Sequence, residues 1–339
     1  MKKLISNEDN IFIAGARGMV GSAITRQLYK SGYGTKQSKG ALLIPNREEL
    51  NLCDNDEVKK WFQANKPNVV IIAAARVGGI FANSDKPTDF LLENLKIQNN
   101  IIENSWKNGV RRLLFLGSSC IYPKFCSQPI KEENLLTGEL EPTNQWYAIA
   151  KIAGIKLCQA LRAQHDFDAI CLMPTNLYGP GDNYHPQNSH VLPALMNKFY
   201  EAKENGSKQV TCWGDGSALR EFLHVDDLGE ACIHALENWN PSEKNSPKDQ
   251  NGNELNFLNA GSGKDISIKE LAKLIANIVG YEGEILWDKS KPNGTPKKLL
   301  NVEKFSQVGW KSKISLKEGI KDTFEIYKKD KASKKLRSY

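Results

Sequence analysis

The chain has 339 residues, 40% of them hydrophobic and 25% charged, with a formal net charge of +7. That make-up suits a soluble enzyme that buries one large α/β core or a core with an appendage, and no run of about 18 apolar residues offers a membrane span. Residues 328–339 carry six basic side chains and one aspartate, five of the seven surplus charges, so the rest of the chain lacks the basic stripe that nucleic acid requires.

Ile11–Ala14 reads as a buried strand entering Gly15-Ala16-Arg17-Gly18-Met19-Val20-Gly21, followed by a helical pattern through Ala23, Ile24 and Leu28. Only ten residues precede the strand, with no apolar stretch that reads as a signal peptide. Glycines spaced this way between strand and helix suit a dinucleotide. The first permits a tight turn, the second lets a pyrophosphate approach the backbone, and the third lets the helix pack on its strand. Free N–H groups at the helix start then face the phosphates. The second strand, Ala41–Ile44, ends in Pro45-Asn46-Arg47 and not in an acid that would hold ribose hydroxyls. With Arg17 and Arg47 nearby, this favours NADP, although Arg47 also suits an ordinary surface turn. Asp54 reads as the N-cap of a helix over Asn55–Ala64 and is placed to hydrogen-bond an adenine. Val69–Ala73 is the third strand, running into small residues from Ala74 to Gly79 that let a cofactor lie close. An amphipathic helix over Thr88–Trp106 leads to the fourth strand, Leu113–Leu116.

That fourth strand ends in a turn carrying Ser118, Ser119 and Cys120. Tyr147 and Lys151 follow, four apart on one face of a helix that runs to His165. An ammonium beside a phenol stabilises the phenolate and lowers its pKa. A serine hydroxyl sharing the same carbonyl oxygen completes a proton donor for reducing a ketone. A second Tyr-x-x-x-Lys, Tyr327 and Lys331, has no strand-end serine before it and reads as solvated surface.

Ala169–Met173 is the fifth strand, and the alternation so far is that of a doubly wound parallel sheet. Residues 174–190 form a long, polar, turn-rich stretch of the kind that carries function at strand ends. A helix (Val191–Ala202), a strand with Val210–Trp213, the segment Arg220–Asp227 and another helix follow. The polar insert 240–253 reads as a mobile loop, Phe257–Asn259 as a sixth strand and Ser267–Val279 as a helix. Residues 1–174 are therefore expected to form a Rossmann domain, its sheet completed by segments near 210–260. Residues 175–327 form mostly a smaller substrate lobe, and 328–339 a frayed basic tail. The seven cysteines are odd in number and scattered with no C-x-x-C pair, which argues against a zinc site or disulfide framework and fits a reducing cytosol.

The stretches IAGARGMVGSAI, AAARVGGI, LLFLGSSCIYPK, EPTNQWYAIAKIAGIKLC, PTNLYGPGDN, HPQNSHVLPAL, WGDGSALREFLHVDD and KPNGTPKKLL, in this order, resemble the extended short-chain dehydrogenase/reductase family. The resemblance is to members that epimerise a GDP-linked 4-keto sugar and reduce it with NADPH. It implies that Ser118, Tyr147 and Lys151 hold the ketone oxygen, with Cys120 as base and His190 as acid. It extends the cofactor set from Gly15, Arg17, Gly18, Gly21 and Asp54 to Met19, Val20, Ala74, Lys151, Pro174, Asn176, Leu177 and His190. It assigns Lys198 and Arg220 to the diphosphate and Trp213 to the sugar or guanosine, with Lys297 or Lys298 also reaching the nucleotide. It further implies a homodimer packed through the helices 88–106 and 146–165. Two positions depart from the family pattern: Pro45 where an arginine is common, and Trp146 where a proline is usual. A 4,6-dehydratase on the same scaffold would carry an Asp-Glu pair beside the catalytic serine, where this chain has Ser119-Cys120. A non-enzymatic sensor that binds NADP and a partner protein would carry a broken Ser-Tyr-Lys set, and this one is intact.

Overall fold

The computed structural model describes residues 3–185, 188–291 and 293–337. Pro186 and Gln187 of the long polar stretch, Pro292 of the KPNGTPKKLL segment and Ser338 and Tyr339 of the tail lie outside the described residues.

The first half runs β1 (Ile11–Ala14), α1 (Met19–Lys30), β2 (Leu42–Leu43), α2 (Asn55–Asn65), β3 (Val69–Ile72), α3 (Ile80–Asp85), α4 (Pro87–Lys107) and β4 (Arg112–Leu116). Then come α5 (Gln145–His165), β5 (Ala169–Pro174), β6 (Asn176–Tyr178), α6 (Val191–Glu204), β7 (Gln209–Trp213), β8 (Leu219–His224) and α7 (Val225–Asn238). The chain ends with β9 (Phe257–Ala260), β10 (Asp265–Ser267), α8 (Ile268–Val279), β11 (Glu284–Asp288), β12 (Lys297–Lys298), α9 (Glu303–Gln307) and α10 (Leu316–Ala332).

Six strands pair in the order β2-β1-β3-β4-β5-β9, all parallel. Their side chains alternate between two cores. Phe12, Val70, Phe115 and Met173 face one, packed by α2, α4 and α5, while Ile13, Ile71, Leu116 and Leu172 face the other, packed by α1 and α7. The strand order reverses between β1 and β3, so a crevice opens beyond their carboxyl ends, where dinucleotides bind in such sheets. A third core joins α6, α8, α10 and the strands β6 to β8 into a smaller lobe. There β8 lies between β10 and β12 and also pairs with β6, so the long stretch after β5 is partly a strand.

Three expectations change. Residues 328–337 are not a frayed tail: α10 runs to Ala332, Leu336 packs on the third core and Arg337 bridges Asn183, because the apolar stripe of α10 anchors the segment. The insert 240–253 is built of hydrogen-bonded turns: Trp239 Nε1 donates to Ser246 Oγ at 3.1 Å, and Asp249 accepts from the backbone of Asn251 and Asn253. Tyr327 and Lys331 are not solvated surface. Ile320, Phe324 and Tyr327 form the apolar stripe of α10, and Tyr327 is 1% exposed against Tyr184 and Tyr200. Its hydroxyl donates to Asn197 Oδ1 at 2.7 Å and Lys331 pairs with Glu201. The many lysines on the opposite face hide this stripe in the sequence. Tyr327→Ala is expected to cost about 3–5 kcal/mol in a denaturant titration, and Lys331→Ala less than about 1 kcal/mol because its pair is half in water.

Candidate active site

The glycine turn packs tightly between β1, the start of α1 and the end of β3. Gly15 has φ of +85°, and a Cβ on it would stand 2.7 Å from the Ala74 nitrogen. A Cβ on Gly21 would stand 2.1 Å from the Gly15 carbonyl oxygen. Both glycines are therefore required by close backbone packing, β1 against the end of β3 at Gly15 and α1 against the turn at Gly21. Gly18 caps α1 without a side-chain acceptor, and the first turn, with Met19 and Val20, carries no acid. The N–H groups there are available to a phosphate. Arg17 and Arg47 are both exposed beside this crevice's β1 and β2 edge. Asp54 accepts from the backbone N–H groups of Asp56 and Glu57, as an N-cap should. Pro174 closes β5, and Asn176 and Leu177 open β6, where Asn176 Nδ2 donates to the Glu221 carbonyl at 2.8 Å.

One strand further, β4 delivers Ser118 and Cys120 to the same edge of the sheet, and α5 lays Tyr147 and Lys151 across it. Tyr147 shares a hydrogen bond with Ser118. Lys151 is 3% exposed; its Nζ donates to the Leu116 carbonyl at 2.8 Å and lies 5.8 Å from the centre of the Tyr147 ring. The electrostatics differ from the sequence expectation. Burial dominates both groups, pushing the Tyr147 phenol well above its ordinary value and the Lys151 ammonium down to about 7, while the Ser118 hydrogen bond only partly opposes the rise at Tyr147. The phenol is therefore held protonated, the form that can give a proton away.

Cys120 sits at the tip of the same turn with two donors on its sulfur. Lys298 Nζ is 3.3 Å from Sγ and Asn144 Nδ2 is 3.5 Å from it. Lys298 reaches it because β12 pairs with β8, placing Lys298 opposite Arg220. The Arg220 guanidinium feels both Cys120 and Glu141, and its NH2 donates to the Asn293 carbonyl at 3.2 Å. His190 caps the start of α6 and has an open side, yet enough protein surrounds it to disfavour the imidazolium, with repulsion from Lys298 adding to that. Lys298 is thus common to the surroundings of thiol and imidazole. Ser119, Cys120, Asn144, Lys297 and Lys298 share one recess.

The remaining substrate candidates are spread over the lobe. Lys198 donates to the Thr211 carbonyl at 2.8 Å, and Trp213 ends β7 with its ring 57% exposed and Lys291 over it. Lys297 pairs with Asp265 at 3.2 Å, whereas its neighbour Lys298 turns to the thiol. Asn144 was missed in the sequence, although its place three residues before Tyr147, just ahead of α5, is the signal that marks it. His224 caps α7, its Nδ1 accepting from the Asp226 N–H, and Asp226 pairs with Arg26 of α1, so both are structural.

The family model described as the NAD dependent epimerase/dehydratase family matches residues 11–250. Over 320 residues the chain is 52% identical to GDP-L-fucose synthase 1 of Arabidopsis thaliana, spanning 94% of this chain and 93% of that protein. Over 323 residues it is 48% identical to GDP-L-fucose synthase of Escherichia coli, spanning 95% and 97%. A solved GDP-L-fucose synthetase from Naegleria fowleri bound to NADP superposes with a TM-score of 0.85 at 25% identity, over 99% of each chain.

The buried Lys151 sets a pH dependence. Its pKa is lower folded than unfolded, so between about 7 and the ordinary lysine value the unfolded chain binds more protons and stability rises with pH. Thermal melts from pH 7 to 9.5 are expected to show the ligand-free wild type gaining stability relative to Lys151→Met. Parallel curves would mean that Lys151 is not desolvated.

Proposed function

The chain belongs to the NAD dependent epimerase/dehydratase family, and within it we propose that it converts GDP-4-keto-6-deoxy-D-mannose to GDP-L-fucose. The sugar is inverted at carbons 3 and 5, which flank the carbon 4 ketone, and the ketone is then reduced with NADPH. The observation that carries this reading is Cys120, held by Lys298 and Asn144 at the tip of the strand that bears Ser118. A plain ketoreductase needs only the serine, tyrosine and lysine. A thiol with a cation on its sulfur adds a base.

NADPH supplies the hydride when bound. The glycine turn with Met19 and Val20 takes its pyrophosphate, Arg17 and Arg47 its 2′-phosphate, and Asp54 its adenine. Ala74, Pro174, Asn176 and Leu177 wall the rest, with Lys151 and His190 at the reacting end. Residues 1–174 thus serve mainly the cofactor and 175–327 mainly the sugar nucleotide, where Arg220 and Lys198 clamp the diphosphate, Trp213 stacks on the exposed part and Lys297 stands at the edge.

Protons beside a ketone become acidic when the developing enolate oxygen is held, and Ser118 and Tyr147 donate to it. Cys120 removes the proton from one face and His190 returns one to the other. Burial and, second, repulsion from Lys298 disfavour the His190 imidazolium, and an anionic diphosphate on Arg220 would offset the second of these. In the reduction, Tyr147 gives its proton to the alkoxide and Lys151 stabilises the phenolate left behind.

All seven cysteines are free, which fits work in the reducing cytosol. No helix among the described residues is long and apolar enough to cross a membrane. The outer face of α4 and α5 presents a groove lined by Trp106, Ala153, Leu157 and Leu161, and we assign it to pairing of two copies. Light scattering is expected to give a two-chain mass; a single-chain mass would end that assignment.

With the keto sugar and NADPH, the wild type is expected to consume NADPH, followed by the loss of its absorbance. Cys120→Ala is expected to bind NADPH normally yet lose epimerised product by about 10²–10⁴-fold, the range for removing a general base. Lys298→Met should fall in the same direction. Full epimerisation by Cys120→Ala would remove the thiol from the mechanism.

A further inference from the structure

The basic C-terminal segment docks beside the site, and the proposed reaction leaves it without a role. Beyond α10 the chain turns through Lys334, whose φ is +56°, and Lys335 N donates to the Asp330 carbonyl at 2.8 Å. Leu336 packs on the third core. Arg337 then forms a parallel bridge with Asn183, its carbonyl accepts from Tyr184 N at 2.9 Å, and its NH1 donates to the Gly181 carbonyl at 3.2 Å.

The turn it holds touches both ends of the chemistry. Gly181 lies against Met19, the first residue of α1, with 3.8 Å between a Cβ on it and the Met19 Cα. Between them Asp182 is 5% exposed; its Oδ1 accepts from Asn183 N, and its Oδ2 is buried with no hydrogen-bond partner among the described residues. The Arg337 guanidinium is the cation that faces this carboxyl. On the other side, Asn183 Oδ1 accepts from His185 N at 3.1 Å, His185 Nδ1 accepts from Asn188 N at 3.1 Å, and the His185 carbonyl accepts from Ser189 N at 3.3 Å. Asn188 in turn accepts from Gly79 N at 3.0 Å, at the end of the crevice. His190 is the next residue. Hydrogen bonds at Gly181 and Tyr184, the backbone of the turn and the hydrogen bonds of His185 therefore connect Arg337 to the residue before the proposed acid.

We propose that the C-terminal segment is a clasp and Arg337 a positioning residue, which fixes the turn 181–185 so that His190 is aimed at the sugar and Met19 at the cofactor phosphates. Arg337 does not touch the substrate; it acts through Gly181, Asn183 and Tyr184. The inference rests on the proposed role of His190.

The test compares full-length wild type with Arg337→Ala and Arg337→Lys by three measurements. These are thermal melting, NADPH dissociation constant by fluorescence, and kcat and KM with GDP-4-keto-6-deoxy-D-mannose together with solvent deuterium in the product. Arg337→Ala is expected to melt near the wild type but to lose tenfold to a hundredfold, roughly the effect of a misplaced catalytic group, in kcat for deuterium incorporation. Its NADPH affinity should also weaken, and Arg337→Lys should recover part of both. Unchanged kcat and NADPH affinity in Arg337→Ala would overturn the clasp, as would losses that track only a fall in melting temperature. His190→Gln separates the two claims: if it incorporates deuterium like the wild type, the acid assignment falls, and the clasp then stands or falls on the NADPH affinity of Arg337→Ala.

Discussion

The buried carboxylate of Glu221 joins β8 of the smaller lobe to the loop at the end of β9 in the main sheet and to the segment after β12. It sits on β8 with no exposed surface and accepts from Gly263 N at 2.7 Å and Leu300 N at 2.9 Å. Gly261 lies so close that a Cβ there would be 2.3 Å from the carboxylate. Burial raises its pKa while those backbone donors oppose the rise. A charge in this position is costly without its donors, so the loop after β9 and the segment after β12 are fixed together. The consequence reaches the chemistry. Leu300 is held two residues beyond Lys298, and β12 can then pair with β8 and carry that ammonium to the Cys120 sulfur.

Seen this way, the site is assembled by strand ends and strand pairing together. The parallel sheet brings Gly15, Ala74 and Ser118 to one edge, because parallel strands all end on the same side. The helix α5 adds Tyr147 and Lys151 at the spacing of one turn. The lobe adds the charges: Arg220 from β8, Lys298 from β12 and His190 from the start of α6. Local order in the sequence accounts for the first two groups, whereas the third depends on contacts between residues far apart in the chain.

That division explains what could be read in advance. The strands β1, β3, β4 and β5 were legible from short apolar runs bounded by glycine or polar residues, and α5 from helix formers after Tyr147. The glycine turn and the strand-end serine announced themselves by spacing. Lys298 and Lys297 were indistinguishable in sequence, since only the register of β12 on β8 decides which one meets the thiol. The depressed Lys151 was also hidden, because a four-residue spacing places it beside Tyr147 without revealing how little water reaches it. The C-terminal helix was misread for a different reason. Its stripe of Ile320, Phe324 and Tyr327 is narrow and surrounded by lysines, and composition outweighed periodicity.

The central claim is that one site both epimerises and reduces, and the isotopic content of the product addresses it most directly. The purified chain would turn over GDP-4-keto-6-deoxy-D-mannose with NADPH in deuterated water, with the product analysed by mass and by NMR. The account predicts a GDP-deoxyhexose carrying solvent deuterium at both carbons 3 and 5, formed as NADPH is consumed. NADPH consumption with no deuterium in the product would contradict it, leaving a ketoreductase in which Cys120 and His190 move no proton.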